Sequence, residues 1–284
     1  MSILFFIAIL ALLILSHELG HFIFAKLKGV KVEEFGFGFP PRPLSFKKGE
    51  TIYSLNLLPL GGFVKIFGEN GPSTSSRQAR GTRPTSDVGV NETSDVGRAF
   101  YSKPASSKAL ILSAGVIFNF LLAWIIFSIS FSIGAPIGQD GGNFEIIKFS
   151  WYEAIWQGLK TTVLLAGAII TAVFYFFKAI FSGAGAQVLE QIAGPVGIFG
   201  IIGSASKLGL TYVLELAAFL SLNLAIINFL PFPALDGGRL LFLGIEVLKG
   251  SPLNQKWSNF AHTLGFVILI ALMILVTYKD ILRI

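Results

Sequence analysis

Apolar residues run along this chain in long, nearly unbroken stretches, without the period of 2 or 3.6 that marks half-buried strands and surface helices. Residues 3–15 continue to Ala25 with one polar interruption, Ser16-His17-Glu18-Leu19-Gly20-His21. Further runs occupy 109–133, 161–181, 212–232 and 264–276. A helix that crosses a hydrocarbon core of roughly 30 Å needs about 20 mainly apolar residues. The pattern predicts an all-α polytopic membrane protein with about four transmembrane helices, at 1–25, 108–133, 212–232 and 262–279. The run 161–181 is also long enough to span, and 161–206 is expected to be a membrane-associated segment. There is no internal repeat, so 1–284 reads as one membrane domain.

The section between the first two helices is polar. Glu34 to Gly68 is rich in Gly, Pro and Phe and alternates around Thr51-Ile52-Tyr53-Ser54-Leu55-Asn56-Leu57. Two short strands fit there, with Lys47-Lys48-Gly49-Glu50 as the turn and an edge strand near 51–57. Residues 70–97 are rich in Ser, Thr and Gly and poor in large apolar residues, the composition of a flexible loop.

Composition agrees with the pattern. The chain is 53% hydrophobic and 13% charged, roughly half the charge of a soluble domain. No basic residue precedes the first apolar run and no small-x-small site closes it, so it is expected to be retained rather than cleaved as a signal peptide. Twelve of the 22 basic residues fall between Lys26 and Lys103. Those nearest the membrane place this section on the cytoplasmic side, so the first helix runs from outside to inside. The net charge of +6 is not gathered into a nucleic-acid footprint. The bilayer is the expected partner. With no cysteine, neither a disulfide nor a thiolate metal site is available.

His17-Glu18-Leu19-Gly20-His21 has the form H-E-x-x-H. On a helix, positions i and i+4 share a face about 6 Å apart, so two imidazoles can grip one metal ion. Glu18 lies about 100° round from His17, within reach of a water that it can serve as general base. Polar residues could merely cap the span, but uncompensated polar groups at the end of an apolar helix are costly and usually functional. A catalytic zinc also needs a third protein ligand. Four carboxylates lie in or beside the later apolar segments: Glu190, Glu215, Asp236 and Glu246. Asp236 stands out because Asn228 through Gly238 breaks a membrane helix with two prolines and two glycines, which is tolerated where backbone lines a cavity or packs on protein. The plainer use of Asp236 is to cap the next helix. His262, near the start of the last run, reads as interfacial packing.

Five ordered motifs resemble those of the site-2 proteases, specifically the bacterial zinc metalloproteases of peptidase family M50 that cleave anti-sigma factors. They are His17-Glu18-Leu19-Gly20-His21, Leu58 through Lys65 with Gly68-Glu69, Ala114-Gly115 with Asn119, Gly194-Pro195-Val196-Gly197-Ile198, and Asn228 through Gly238. The resemblance implies a Zn2+ cofactor held by His17, His21 and Asp236, with Glu18 activating water. It implies that Asn228 helps to seat substrate, with Pro231, Pro233, Gly61 and Gly62 beside it, and that 34–68 is a membrane-reentrant β-hairpin guiding substrate. Such proteins sit in the bacterial cell membrane with the active site near the cytoplasmic face. Their substrates are single-span membrane proteins, such as an anti-sigma factor or a signal-peptide remnant. Relatives usually carry PDZ domains between the second and third spans; Gly134 to Leu159 is too short for one.

The metal site also constrains topology. His17 and His21 lie near the inner end of the first helix, and Asp236 follows the C-terminal end of the 212–232 helix. That helix must therefore also run outside to inside, and 161–181 cannot be a lone crossing: either the Gly-rich 192–206 stretch compensates, or, as the family resemblance implies, the segment is in-plane or re-entrant. Two other functions are compatible with these residues. A zinc or ion transporter would show repeated halves and several intramembrane charges, which are missing here. A non-catalytic membrane-protein binder would have no use for Glu18.

Overall fold

A computed structural model describes residues 2–69, 96–138, 144–185 and 192–282. The flexible loop expected at 70–97 lies outside the described residues, apart from Val96 and Gly97. Among the described residues, the α-helices are α1 (Ser2–Leu27), α2 (Ala105–Ile133), α3 (Trp151–Phe181), α4 (Pro195–Leu208), α5 (Leu210–Phe229), α6 (Asp236–Lys249) and α7 (Gln255–Leu282). Among the described residues, five of them (α1, α2, α3, α5 and α7) are long and apolar enough to cross a membrane. The protein is thus a mostly helical, multi-pass membrane protein.

The fifth such helix is α3, in the region expected to lie in the plane of the membrane or re-enter it. It starts ten residues before the apolar run, because Ser150 and Glu153 close a capping box ahead of Trp151. Glu153 Oε2 accepts from the Ser150 backbone N–H at 3.1 Å and from its hydroxyl at 2.5 Å. Phe149 N–H donates to the carbonyl of Phe131 at 3.0 Å, fixing this start beside the end of α2.

The expected β-hairpin needs correcting. In place of a two-stranded hairpin, residues 32–66 form a four-stranded sheet of β1 (Val32–Phe39), β2 (Leu44–Lys48), β3 (Thr51–Leu55) and β4 (Leu58–Ile66), in the order β2-β3-β1-β4. The turn between β2 and β3 falls at Gly49-Glu50, inside the expected stretch. β1 runs parallel to β3 and antiparallel to β4. The strand near 51–57 is therefore interior, and the edges are β2 and β4. Side chains reinforce the inner pairing: Thr51 Oγ1 donates to Val32 O at 2.8 Å and Ser54 Oγ to Glu34 at 2.6 Å. A second ladder, β5 (Ala135–Gly138) with β6 (Phe144–Ile147), joins α2 to α3.

Contacts divide the chain into two compact units, and four helices contribute to both. The first comprises residues 1–13, 116–228 and 264–284. Its core is helix on helix: Ile9 and Leu13 of α1, Ala123 and Phe127 of α2, Ile202 of α4, and Ala217, Ala218 and Leu222 of α5. Ser221 donates to the carbonyl of Asn119 at 2.8 Å, and Asp280 near the end of α7 accepts the Gly197 N–H at 2.8 Å.

The second unit, residues 14–115 and 229–263, holds the sheet, α6 and the remaining ends of the shared helices. Val30, Val32, Ile66, Phe100, Ile111 and Leu112 form its core. The β2–β3 turn is tied down by Glu50, which pairs with Lys26 at the end of α1 at 2.6 Å and with Arg98 at 2.5 Å. Lys26 and Arg98 hold the Glu50 carboxyl below the usual carboxylate range.

Candidate metal centre

The chemistry-bearing residues of the second unit meet on its helices. His17 and His21 are one turn apart on α1, with ring centroids 4.9 Å apart and planes at 78°. Asp236 arrives from residues 230–235, which end the α5 direction and start α6. It occupies the first turn of α6, whose cap position is Leu235, so it does not serve as the helix's capping side chain. Its Oδ2 lies 3.0 Å from His17 Nε2 and 3.2 Å from His21 Nε2, and the two imidazole nitrogens are 3.3 Å apart. Among the described residues, these three form the one His/Asp/Glu cluster able to hold a metal ion.

The triangle is set up for a cation. His21 Nδ1 donates to the backbone carbonyl of Ile111 at 2.8 Å, which leaves the lone pair of a neutral ring on Nε2. The His21 Nε2 lone pair and the Asp236 carboxylate then face the same point as His17 Nε2, and the buried His17 Nδ1 has no partner among the described residues, a donor set suited to a shared cation. Donors about 2.0–2.2 Å from a tetrahedral zinc stand roughly 3.3–3.6 Å from one another, close to the spacing seen. Gly115 on α2 leaves room for the two rings: a Cβ there would stand 2.5 Å from His21 Nε2 and 2.6 Å from His17 Cε1.

Around the triangle is a cleft of about 300 Å³ lined by Glu18, by Gly62, Phe63, Val64 and Ile66 of β4, and by Ala234 and Arg239. β4 runs close against α1, since a Cβ on Gly62 would come within 2.8 Å of the Glu18 side chain. Arg239, one turn after Asp236, pairs with Glu69 just beyond β4. Sequence reasoning assigned no role to either residue, although the spacing of Arg239 from Asp236 puts both on one helical face. Gly61, Pro231 and Pro233 belong to the same unit but not to the cleft lining, and Asn228 lies in the last turn of α5 in the other unit.

The family model for peptidase family M50 matches residues 5–272. The chain belongs to peptidase family M50. Among its M50 relatives, a Clostridium perfringens protein is 30% identical over 353 aligned positions, with 99% of each chain covered. The zinc metalloprotease RasP of Bacillus licheniformis is 29% identical over 416, with 99% of each covered. The regulator of sigma-W protease RasP of Bacillus subtilis is 28% identical, covering 99% of this chain and 98% of its own. These alignments are longer than the 284 residues here, so the relatives contain internal residues that this M50 chain lacks. It is a zinc-dependent metalloendopeptidase of the site-2 protease type.

Proposed function

We propose that this M50 peptidase hydrolyses peptide bonds within the membrane-spanning segments of single-span proteins, with zinc held by His17, His21 and Asp236 and with Glu18 as general base. One observation carries this reading. The His17 and His21 nitrogens, on a helix long and apolar enough to cross a membrane, meet the Asp236 carboxylate of α6 within 3.3 Å, and Glu18 lines the same cleft. Zinc bound there supplies a Lewis acid and lowers the pKa of water. Glu18 takes the proton released by the attacking water and passes it to the leaving amine.

A helical substrate must expose its backbone before it can be cut. β4 offers the means, because its second edge has no strand partner among the described residues and its Gly62, Phe63, Val64 and Ile66 line the cleft. An unwound segment added to that edge would place its carbonyls beside the metal triangle. This role passes to β4 from the interior strand near 51–57. Asn228, Pro231, Pro233 and Gly61 are not part of the cleft lining and would contact substrate beyond it.

The helix order within the first unit supports the topology this site needs. Phe6 of α1 packs edge-on against Phe199 of α4 at 5.5 Å, and Ser2 stands beside Gly203. Moving along α4 from 199 to 203 is therefore moving back along α1 from 6 to 2, so the two are antiparallel. α5 begins just after α4, at the level where α1 begins, and runs in the same direction as α1. Asp236 and the histidines are then delivered to one face, the cytoplasmic one by the basic residues that follow α1. On this reading α3 starts and α4 begins in the same outer half, and α3 lies along or dips into the membrane. The sigma-W name of the Bacillus subtilis relative favours a membrane-bound anti-sigma factor as substrate, and signal-peptide remnants are the second class.

The test uses purified protein in liposomes with a single-span reporter tagged at both ends. Zinc-dependent cleavage, mapped by mass spectrometry inside the span and lost in Glu18→Gln, is the expected result. Cleavage confined to the reporter's extramembrane tails, or equal in the variant, would overturn the proposal.

A further inference from the structure

His262 has a function in the structure that packing does not describe. Its Nδ1 accepts the backbone N–H of Ala234 at 3.1 Å, and its ring meets Phe242 of α6 edge-on at 5.3 Å. The acceptor role leaves the proton of the neutral ring on Nε2. Ala234 has φ +83°, and it is the one non-glycine residue with positive φ among the described residues. The left-handed region disfavours any residue with a Cβ, and such a conformation persists only when its surroundings impose it. Ala234 lines the cleft and stands two residues before Asp236. The turn is also closed by two backbone bonds, Phe232 N–H to Leu230 O at 2.7 Å and Leu235 N–H to Phe232 O at 3.1 Å. Neither of these bonds involves the Ala234 amide.

We propose that His262 is a positioning residue for the metal centre: by accepting the Ala234 N–H it holds the left-handed turn that aims the Asp236 carboxylate at His17 and His21. The proposal rests on Asp236 being a zinc ligand. A side chain that orients a ligand from behind typically changes metal affinity or activity by roughly 10–100-fold when removed. His262 acts at one further remove, through backbone, so its loss belongs at the lower end of that range. The strain at Ala234 makes the idea separable from a packing role. Glycine takes φ +83° without penalty, so a glycine at 234 needs no histidine to hold it.

The experiment measures zinc affinity of the full chain in detergent, by competition with a chromophoric chelator, and reporter cleavage alongside. His262→Leu keeps an apolar side chain against Phe242 and removes the acceptor; it is expected to weaken zinc binding about 10-fold. His262→Asn places an oxygen where Nδ1 stood and should stay within about 3-fold of wild type. Ala234→Gly in the His262→Leu background should recover most of the loss. If His262→Leu binds zinc like wild type, or if Asn and Gly both fail to rescue it, the positioning role is wrong and the ring only packs. Asp236→Asn is the control for the reading beneath it: undiminished zinc affinity there overturns both, whereas its loss with a normal His262→Leu overturns the positioning role alone.

Discussion

The two units of this protein are held together by different forces, and they should respond differently to change. The first packs small side chains between apolar helices: Ala123, Ala217 and Ala218 are almost fully buried beside Ile202 and Leu222. Helices in lipid gain little from leaving their solvent, so close van der Waals fit and a few polar contacts hold them. The second unit is organised around particular atoms. Two imidazoles and a carboxylate meet in a triangle, a carbonyl orients one ring, and two glycines admit neighbours that one methyl group would displace. Shape suffices in the first unit, whereas the second also depends on chemical identity.

The sharpest way to widen this contrast is Glu18→Gln, which changes one charge and almost no volume. General acid–base catalysis is worth roughly 10²–10⁴-fold, so reporter cleavage should fall by that much while bound zinc remains one per chain. Loss of zinc in this variant would mean that Glu18 holds the site together instead of acting in it. Gly115→Ala comes next. Its methyl would crowd both rings, and we expect zinc affinity to drop by roughly 10–100-fold with helix content unchanged. Normal zinc binding here would show that α2 can move aside, blurring the distinction between the units.

The first unit predicts the converse. Leu222→Ala should cost about 2 kcal/mol of stability against unfolding in detergent, the low end of the range for buried leucines because the transfer term is small in lipid. Leu222→Met should cost less than about 1.5 kcal/mol. Zinc affinity should be untouched in both, and a change in it would tie the metal site to apolar packing. The smallest effect lies at Glu50. With Lys26 and Arg98 depressing its pKa, the folded value lies below the unfolded one. The stabilisation is therefore present above the ordinary carboxylate range and disappears as pH falls through the folded value. Its exposure of 29% keeps this below about 1 kcal/mol. Wild type should be slightly more stable than Glu50→Gln at pH 7, and the difference should vanish in acid; equal stability at pH 7 would leave the ion pairs without effect.

What the sequence revealed follows the range of the physics. His17, Glu18 and His21 are legible because a helix fixes their relation within five residues. Asp236 is legible because proline and glycine at membrane depth demand an explanation. The sheet was only half visible: β2 and β3 alternate and share a tight turn, but β1 contains two glycines, β4 contains Pro59 and two more, and a parallel β1–β3 pairing leaves no local mark. The start of α3 was missed because Trp151 to Lys160 mixes polar with aromatic residues and depends on a cap at Ser150. Arg239 with Glu69, and His262 with Ala234, are joined across 170 and 28 positions, a relation that no periodicity encodes.

The β5–β6 ladder has a consequence for how such a chain can be rebuilt. Gly138 faces Phe144 across antiparallel strands, and Phe149 is bonded back to Phe131. The two stems therefore stand about 5 Å apart through bonds of their own, whatever connects them. An inserted domain whose termini lie close together could be spliced between them, and the helices on either side would keep their register. The expected outcome is a chimera that binds zinc like the parent, with the added module tuning which substrates approach. A large loss of zinc from such a chimera would show that the stems depend on the short connection between them.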